Sequence, residues 1–266
     1  MVRREAITSV RNPVVREARR AVQKGELTPG GLCLAGTFRL LEEALRSGCE
    51  VPYVLAAQSV VSLVEKHVRG LREVRLLVLD DGLLAEVSGT ETAQGVVALV
   101  KPPVWTLDHL FRGRSLVLIL DGVQDPGNAG SLVRAAEAFG ATGVLFVKGT
   151  VNPYHPKTVR AAAGSLFRLP VLSGLDAAMA RAACAQRRTD LYAAAPHGGV
   201  AVAEADLTRR CAIIIGSEGR GVSEALRGAA LDLRIPTHGV ESLNASAAGA
   251  VILYEAARQR RREPAP

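Results

Sequence analysis

Residues 211–254 constrain the fold more than any other stretch of this chain. The apolar run Ala212–Ile215 is typical of a short buried strand, and a glycine-bounded turn at 216–221 follows it. After Leu233–Pro236, a second polar loop, from His238 to Asn244, leads into the alanine-rich helical stretch Ala245–Tyr254. Ligands of open α/β sheets bind where strands end and such loops begin. We therefore expect the functional site in these loops.

A second apolar run indicates what kind of sheet this is. Ser115–Leu120 is apolar almost throughout, as in the central strand of a parallel sheet that is buried on both faces. A glycine-containing loop, the helical pattern Ser131–Phe139 and the strand pattern Gly143–Val147 follow, which together make one βαβ unit. Another strand pattern lies at Leu191–Ala195. The C-terminal part is therefore predicted to be α/β, with a doubly wound parallel sheet.

The N-terminal part has the pattern of a smaller α/β domain. Predicted strands are Leu32–Ala35, Pro52–Ala57, Val74–Leu79 and Gly95–Val100, with a turn over Asp80–Val87. Lys101-Pro102-Pro103 ends this region, since adjacent prolines stiffen a chain and cannot join a sheet. The predicted organisation is a domain at 1–100, a linker at 101–114 and a second domain at 115–266.

The first 24 residues combine apolar and basic positions at helical spacing. Val14, Val15, Ala18, Ala21 and Val22 form one face, and Arg16, Arg19, Arg20 and Lys24 form another. The basic face is either an ordinary solvated surface or a surface that grips an RNA backbone. A net charge of +7 favours a nucleic-acid partner, although arginine-rich surfaces have other origins, such as a high-GC genome.

Several functional classes are excluded by composition and spacing. The four cysteines are scattered without a C-x-x-C pair, and the histidines have no metal-ligand spacing, so we expect no disulfide frame and no metal. No apolar run is long enough to span a membrane, and no secretory signal opens the chain, so we expect a cytoplasmic protein without a membrane partner. Dinucleotide-binding, P-loop and nucleophile-elbow motifs are each incomplete.

Three motifs, in order and correctly spaced, resemble those of the SpoU (TrmH-type) branch of the SPOUT RNA methyltransferases. They are N-x-G-x-x-x-R-x-A at 128–136, an apolar strand leading into G-x-E-x-x-G at 213–221, and I-P followed by S-L-N-x-S at 235–246. The resemblance covers roughly residues 112–262. The N-terminal domain is also similar to the RNA substrate-binding domain of many relatives, above all at Ser88–Gly95, and departs from it at Ala35-Gly36.

The resemblance implies a function, a cofactor and a set of site residues. Such enzymes transfer a methyl group from S-adenosyl-L-methionine to a ribose 2′-hydroxyl of RNA, and they pair as homodimers through a C-terminal trefoil knot. The positions matching the family's cofactor contacts are Ala194, Ala195, Gly216, Ser217, Ile235 and Leu243. Those matching its catalytic set are Asn128, Arg134, Glu218, Ser242 and Asn244.

The roles of these residues are hypotheses at this point. A guanidinium is a poor base at neutral pH, so we expect Arg134 to hold the RNA phosphate beside the target ribose, with Asn128 orienting it. Glu218 either positions Arg134 or a loop donor, or simply caps the helix at Val222. Ser242 and Asn244 are either functional or loop-stabilising residues.

Three functional alternatives remain open from the sequence. The favoured one is a 23S ribosomal RNA ribose methyltransferase, ahead of a transfer RNA enzyme because of the attached N-terminal domain. A non-catalytic RNA-binding or ribosome-assembly protein on the same fold is disfavoured, since a decayed site should have lost part of the polar set. Antibiotic resistance through ribosome methylation would be the same chemistry in another physiological role.

Overall fold

The chain folds into two compact units. The computed structural model describes residues 3–69, 71, 73–88 and 94–261, so 89–93 of the predicted Ser88–Gly95 motif lie outside it. Unit 1 comprises Met1–Val104 and Tyr154–Arg168, and unit 2 comprises Trp105–Pro153 and Leu169–Pro266. Tyr154–Arg168 thus packs with the N-terminal unit, whereas it falls within the domain predicted at 115–266.

The described residues form strands and helices with the following bounds. The strands are β1 (Arg3–Ile7), β2 (Cys33–Ala35), β3 (Tyr53–Ala57), β4 (Arg75–Leu79), β5 (Val96–Val100), β6 (Leu116–Asp121), β7 (Gly143–Phe146), β8 (Val171–Ser173), β9 (Asp190–Ala194), β10 (Val200–Ala201), β11 (Cys211–Gly216) and β12 (Leu231–Arg234). The α-helices are α1 (Pro13–Lys24), α2 (Phe38–Arg46), α3 (Val61–His67), α4 (Asp81–Ser88), α5 (Leu107–Leu110), α6 (Pro126–Ala138), α7 (Pro156–Ala162), α8 (Ala177–Gln186), α9 (Glu224–Arg227) and α10 (Ala245–Arg261).

Unit 1 is built on a five-stranded mixed sheet. Its strand order is β1-β4-β3-β5-β2, in which β4 pairs parallel with β1 and β3, and β5 pairs antiparallel with β3 and β2. One face of this sheet packs against α1 through Val15, Ala18 and Ala21 and against α4 through Leu84 and Val87. This burial confirms the predicted apolar face of the first helix. Helix α7 contacts β2, which explains why its segment belongs to this unit.

In unit 1, one local prediction is wrong and one strand was not predicted. The segment predicted as a turn over Asp80–Val87 is the helix α4, because the Asp80 carboxylate caps it by accepting the Leu83 N–H at 2.8 Å. Strand β1 was not predicted, since its charged residues Arg3, Arg4 and Glu5 hide the alternation that marks a strand. Its pairing partner β4 is distant in sequence, so only the folded sheet reveals it.

Unit 2 has the predicted doubly wound parallel sheet. Seven strands lie in the order β10-β12-β9-β11-β6-β7-β8, and every neighbouring pair is parallel. The chain runs from β6 outward to β7 and β8, then continues on the other side of β6, so the direction of winding reverses between β6 and β11. Ligands of such sheets bind at the carboxyl ends of the strands near this reversal.

Helices cover both faces of the unit 2 sheet. Residues of α5, α8 and α9 pack with one set of alternating strand residues, including Val117, Ile119 and Ile214. On α10, Gly249 lies so close to α6 that an added Cβ would overlap Leu132, and it also approaches Ile215 of β11. Glycine at this position therefore allows α10 to pack closely on α6 over the end of β11. Over the part of the chain that the structure describes, no helix is long and apolar enough to cross a membrane.

Candidate active site

Three loops of unit 2 enclose one cavity of about 530 Å³. They follow β9, β11 and β12, which are neighbours in the sheet and run parallel, so their loops emerge at the same edge. All six positions predicted for the cofactor line this cavity, as do three of the predicted catalytic residues: Ala194, Ala195, Gly216, Ser217, Ile235, Leu243, Glu218, Ser242 and Asn244. The apolar part of the wall includes Ile215, Leu233 and Ile252.

The loop after β11 is closed by its own main chain. Ser217 N–H donates to Gly221 O at 3.1 Å, and Gly221 N–H donates back to Ser217 O at 2.9 Å. Gly221 has φ +69°, the left-handed region that favours glycine, and the Ser217 hydroxyl accepts the Arg220 N–H at 3.1 Å. A Cβ on Gly216 would lie 2.1 Å from Gly221 C, so this end of the loop has room only for glycine.

The loop after β12 ends on a helix cap. The side-chain oxygen Oδ1 of Asn244 accepts the N–H and the hydroxyl of Ser246, at 2.9 and 2.6 Å, and so caps α10. Asn244 therefore has the loop-stabilising role that was one of its two predicted roles. It also lines the cavity. Earlier in the loop, Thr237 donates its hydroxyl to Val240 O at 2.9 Å.

Asn128 and Glu218 come together although 90 residues separate them in the sequence. Asn128 Nδ2 donates to Glu218 Oε1 at 2.8 Å, which connects the first turn of α6 to the loop after β11. Asp125 in turn caps α6 by accepting the Asn128 N–H at 2.7 Å. The partner of Glu218 is therefore a residue in the first turn of α6, and neither Arg134 nor a loop donor.

Arg134 is a predicted catalytic residue that does not line the cavity. It is exposed on α6, six residues after Asn128, and it is absent from the cavity wall. Among the residues that the structure describes, its side chain forms neither a hydrogen bond nor an ion pair. Asn128 also lies outside the wall, but its hydrogen bond to Glu218 places it at the site.

Asp121 is a buried acidic residue beside the site that the sequence analysis did not single out. It ends β6, is 7% exposed, and accepts the Ser223 N–H on Oδ2 at 2.7 Å. This hydrogen bond is a second connection, besides that of Asn128 to Glu218, between the segment that follows β6 and the segment that follows β11. A signal was available in the sequence, since an acidic residue directly before Gly122 at the end of an apolar strand is unusual.

Charges of both signs line the cavity. Glu218 and Glu241 supply carboxylates, and Arg220 and Arg227 supply guanidinium groups. Arg227 is held from outside by Asp232, which accepts from its Nε at 3.2 Å and from its Nη2 at 2.6 Å. This hydrogen bonding raises the pKa of Arg227 above its ordinary value. The described residues include no cluster of three or more side chains that could hold a metal ion.

Comparison with known proteins shows what this architecture is similar to. The SpoU rRNA Methylase family matches residues 115–254. The 23S rRNA (guanosine(2553)-2′-O)-methyltransferase RlmP of Bacillus subtilis is 32% identical, over 93% of this chain and 97% of that protein. The 23S rRNA (uridine(2479)-2′-O)-methyltransferase of Streptomyces viridochromogenes is 35% identical, over 72% of this chain and 70% of that protein.

A solved structure extends the similarity to the fold of nearly the whole chain. The crystal structure of the SpoU methyltransferase AviRb from Streptomyces viridochromogenes, in complex with its cofactor AdoMet, superposes with a TM-score of 0.85. It is 30% identical, and the match covers 96% of this chain and 100% of that one. The family match covers more than half of the chain and includes all three motif loops. The chain therefore belongs to the SpoU rRNA methylase family.

Proposed function

We propose that this protein methylates a ribose 2′-hydroxyl of 23S ribosomal RNA, with S-adenosyl-L-methionine as the methyl donor. The observation that carries the proposal is that the loops after three neighbouring parallel strands enclose one cavity, lined by all six predicted cofactor positions. Both relatives named above act on ribose 2′-oxygens of 23S rRNA, at a guanosine in one and a uridine in the other. Their difference leaves the target nucleotide of this chain open.

The cavity has the properties that this cofactor requires. Its volume of about 530 Å³ lies within the roughly 300–1,000 Å³ usual for small-molecule sites. Aliphatic side chains and main-chain groups near Gly216 can enclose a flat base, since the glycine lets the backbone approach closely. Carboxylates and guanidinium groups in the wall suit a ligand that carries a sulfonium, an ammonium and a carboxylate. The residues present therefore fit the cofactor.

The chain's own residues act mainly by orientation. When bound, S-adenosyl-L-methionine supplies the electrophilic methyl group. Asn128, fixed by Glu218, holds the target ribose so that its 2′-oxygen lies in line for attack. Arg134, reaching the site from a second copy of the chain, binds the adjoining phosphate, because its guanidinium stays protonated and matches phosphate geometry. Ser242 lies in the cavity wall, where its hydroxyl can contact the ribose.

We also infer a homodimer formed through α6 and α10. On α10, Val251 is 40% exposed and Tyr254 is 56% exposed, and Tyr254 stacks edge-on against Phe139 at 5.7 Å, so one apolar surface spans the end of α6 and the neighbouring face of α10. Such exposed apolar surface is typical of an interface. In a dimer, Arg134 could reach the cavity of the partner chain, since it does not line the cavity of its own chain. The trefoil knot and the cytoplasmic location stay predictions.

Methyl transfer from isotope-labelled S-adenosyl-L-methionine tests the function. Wild-type protein, Arg134→Ala and Arg134→Lys are each offered 23S rRNA and bulk transfer RNA in separate reactions. We expect label in 23S rRNA alone, loss of transfer in Arg134→Ala and little recovery in Arg134→Lys, with cofactor binding unchanged by calorimetry. Label in transfer RNA would identify transfer RNA as the substrate. Cofactor binding without methyl transfer into either RNA would point to an assembly intermediate as the substrate. Failure to bind the cofactor would favour a non-catalytic RNA-binding protein.

Mixing two inactive variants tests the shared site. If Arg134 serves the partner's cavity, Arg134→Ala and Glu218→Ala chains refolded together regain part of the activity, because each mixed dimer holds one intact site. The expected control is sedimentation as a dimer, abolished by Tyr254→Asp. A monomeric wild-type protein, or mixed dimers without any recovered activity, would contradict the shared arrangement.

A further inference from the structure

We propose that a cationic surface on unit 1, formed by α1 and the start of α7, binds the phosphate backbone of the RNA substrate. We call it the α1–α7 surface and define it by Arg16, Arg20, Lys24 and Lys157, all of which are exposed. The inference rests on the proposed function, since it takes the substrate to be RNA. Of the two interpretations that the sequence left open for this helix, it takes the one in which the basic face binds RNA.

The α1 residues form one row along the helix. Arg16, Arg20 and Lys24 are spaced four apart, so they lie on one face, with about 6 Å of helix rise between neighbours. The opposite face, with Val15, Ala18 and Ala21, is buried. The helix is anchored by that burial and by an Asn12 cap, which accepts the Val14 N–H at 2.9 Å. A fixed row of like charges is therefore held toward solvent.

These charges are not neutralised within the protein. In the part of the chain that the structure describes, none of the four defining residues forms an ion pair or a side-chain hydrogen bond. Arg19 differs from them, because it pairs with Glu86 of α4 at 3.3 Å, away from the row. Glu17 and Glu26 lie nearby on the chain, but no ion pair joins them to the row. Unpaired charges are available to an anionic partner without the cost of breaking a contact.

The start of α7 extends the row beyond the end of α1. Gly25 closes α1 with φ +66°, and a Cβ added there would overlap the ring of His155, which caps α7. Lys24 and Lys157 therefore flank one contact between two helix ends. Burial, and then the charge of Lys157, lower the pKa of His155, so the imidazole is neutral near pH 7. The positive charge of the surface comes from its arginines and lysines.

A polyanion of regular charge spacing is the partner that this row fits. Successive cations along a helix match successive phosphates along a strand, and arginine can bind a phosphate through two parallel hydrogen bonds. Phosphate contacts of this kind set affinity and its salt dependence, without sequence specificity. The α1–α7 surface is thus expected to contribute affinity for RNA, and the choice of nucleotide lies elsewhere.

Salt-dependent RNA binding tests this proposal. Affinity of the full-length protein for in-vitro transcribed 23S rRNA is measured by filter binding across a salt series. The variants are Arg16→Gln/Arg20→Gln/Lys24→Gln and Lys157→Gln, with Arg19→Gln as the matched control on the same helix. The slope of log affinity against log salt should fall by about one per charge removed. In the triple variant the Kd should also rise roughly tenfold or more, whereas the control should behave as wild type.

The outcomes separate this proposal from the proposed function. A wild-type salt slope in the triple variant, or an equal loss of slope in Arg19→Gln, would overturn the α1–α7 surface. Circular dichroism melts and S-adenosyl-L-methionine calorimetry check that the triple variant is folded and keeps its cofactor site. If the variants show the expected slope changes but the wild-type protein neither binds S-adenosyl-L-methionine nor transfers a methyl group, the proposed function fails and the surface stands.

Discussion

Gly216 is the position where one added carbon should disable the cofactor cavity. In Gly216→Ala the new Cβ would lie 2.1 Å from Gly221 C and 2.2 Å from Val222 N, both of which are main-chain atoms. Carbon atoms prefer about 3.5–4.0 Å, so the loop must move by more than about 1 Å. The loop is closed by two hydrogen bonds and followed by the buried Val222, so it cannot move freely.

The expected loss follows from that displacement. A misplacement of about 1 Å can cost on the order of 100-fold in rate, or about 2.7 kcal/mol, and we take the same penalty for binding of the cofactor. We therefore expect the Kd for S-adenosyl-L-methionine to rise roughly 100-fold, and the free energy of unfolding to fall by about 1–3 kcal/mol from overpacking. Isothermal titration calorimetry and urea denaturation measure the two effects.

Gly219→Ala is the matched control, because it adds the same carbon to the same loop. An added Cβ at Gly219 meets nothing within 4 Å, and the residue does not have a positive φ. This variant should bind the cofactor within about twofold of wild type. If Gly216→Ala bound S-adenosyl-L-methionine like wild type, or if the two variants lost affinity equally, the reasoning from close backbone approach would be refuted.

Three further predictions concern stability. Asp121→Ala leaves the Ser223 N–H without its acceptor and should lower the free energy of unfolding by about 1–3 kcal/mol in urea denaturation, whereas Asp121→Asn keeps an acceptor and should cost less. Arg260→Ala removes donors to the main-chain oxygens of residues 114, 115 and 207 and should cost about 3 kcal/mol; a loss below about 0.5 kcal/mol would contradict its role in fixing α10. Burial raises the pKa of Cys33 and of Cys184 from 9.0 to about 12, so their stabilising effect is complete below pH 9 and is lost as the pH rises toward 12, by about 1.4 kcal/mol per pH unit for each thiol. The urea midpoint should therefore fall between pH 8 and 10.5. A constant midpoint would show that these thiols ionise as readily in the folded protein as in the unfolded one.

The predicted strands of unit 2 agree with the structure because the signal is local. Ser115–Leu120 corresponds to β6 and Ala212–Ile215 lies within β11, and both are buried along their length. A strand covered by helices on both faces must be apolar at every position, so neighbouring residues alone identify it. Strand β1 lacks such a run and α4 depends on the Asp80 cap, so both were missed.

The sequence alone thus predicted the parallel sheet and located the three motif loops, because apolar runs, glycines and motif spacing are properties of adjacent residues. The positions that line the cavity were implied by the resemblance of those motifs to a known family. Only the tertiary structure decided which distant residues meet. Asn128 reaches Glu218 because β6 and β11 are neighbours in the sheet, and Arg134 stays outside the cavity because of the face of α6 that it occupies. Tyr154–Arg168 joins unit 1 because α7 packs on β2, a contact between residues more than a hundred positions apart. Such pairings depend on how the strands are ordered and how the helices pack, which no single stretch of the chain specifies.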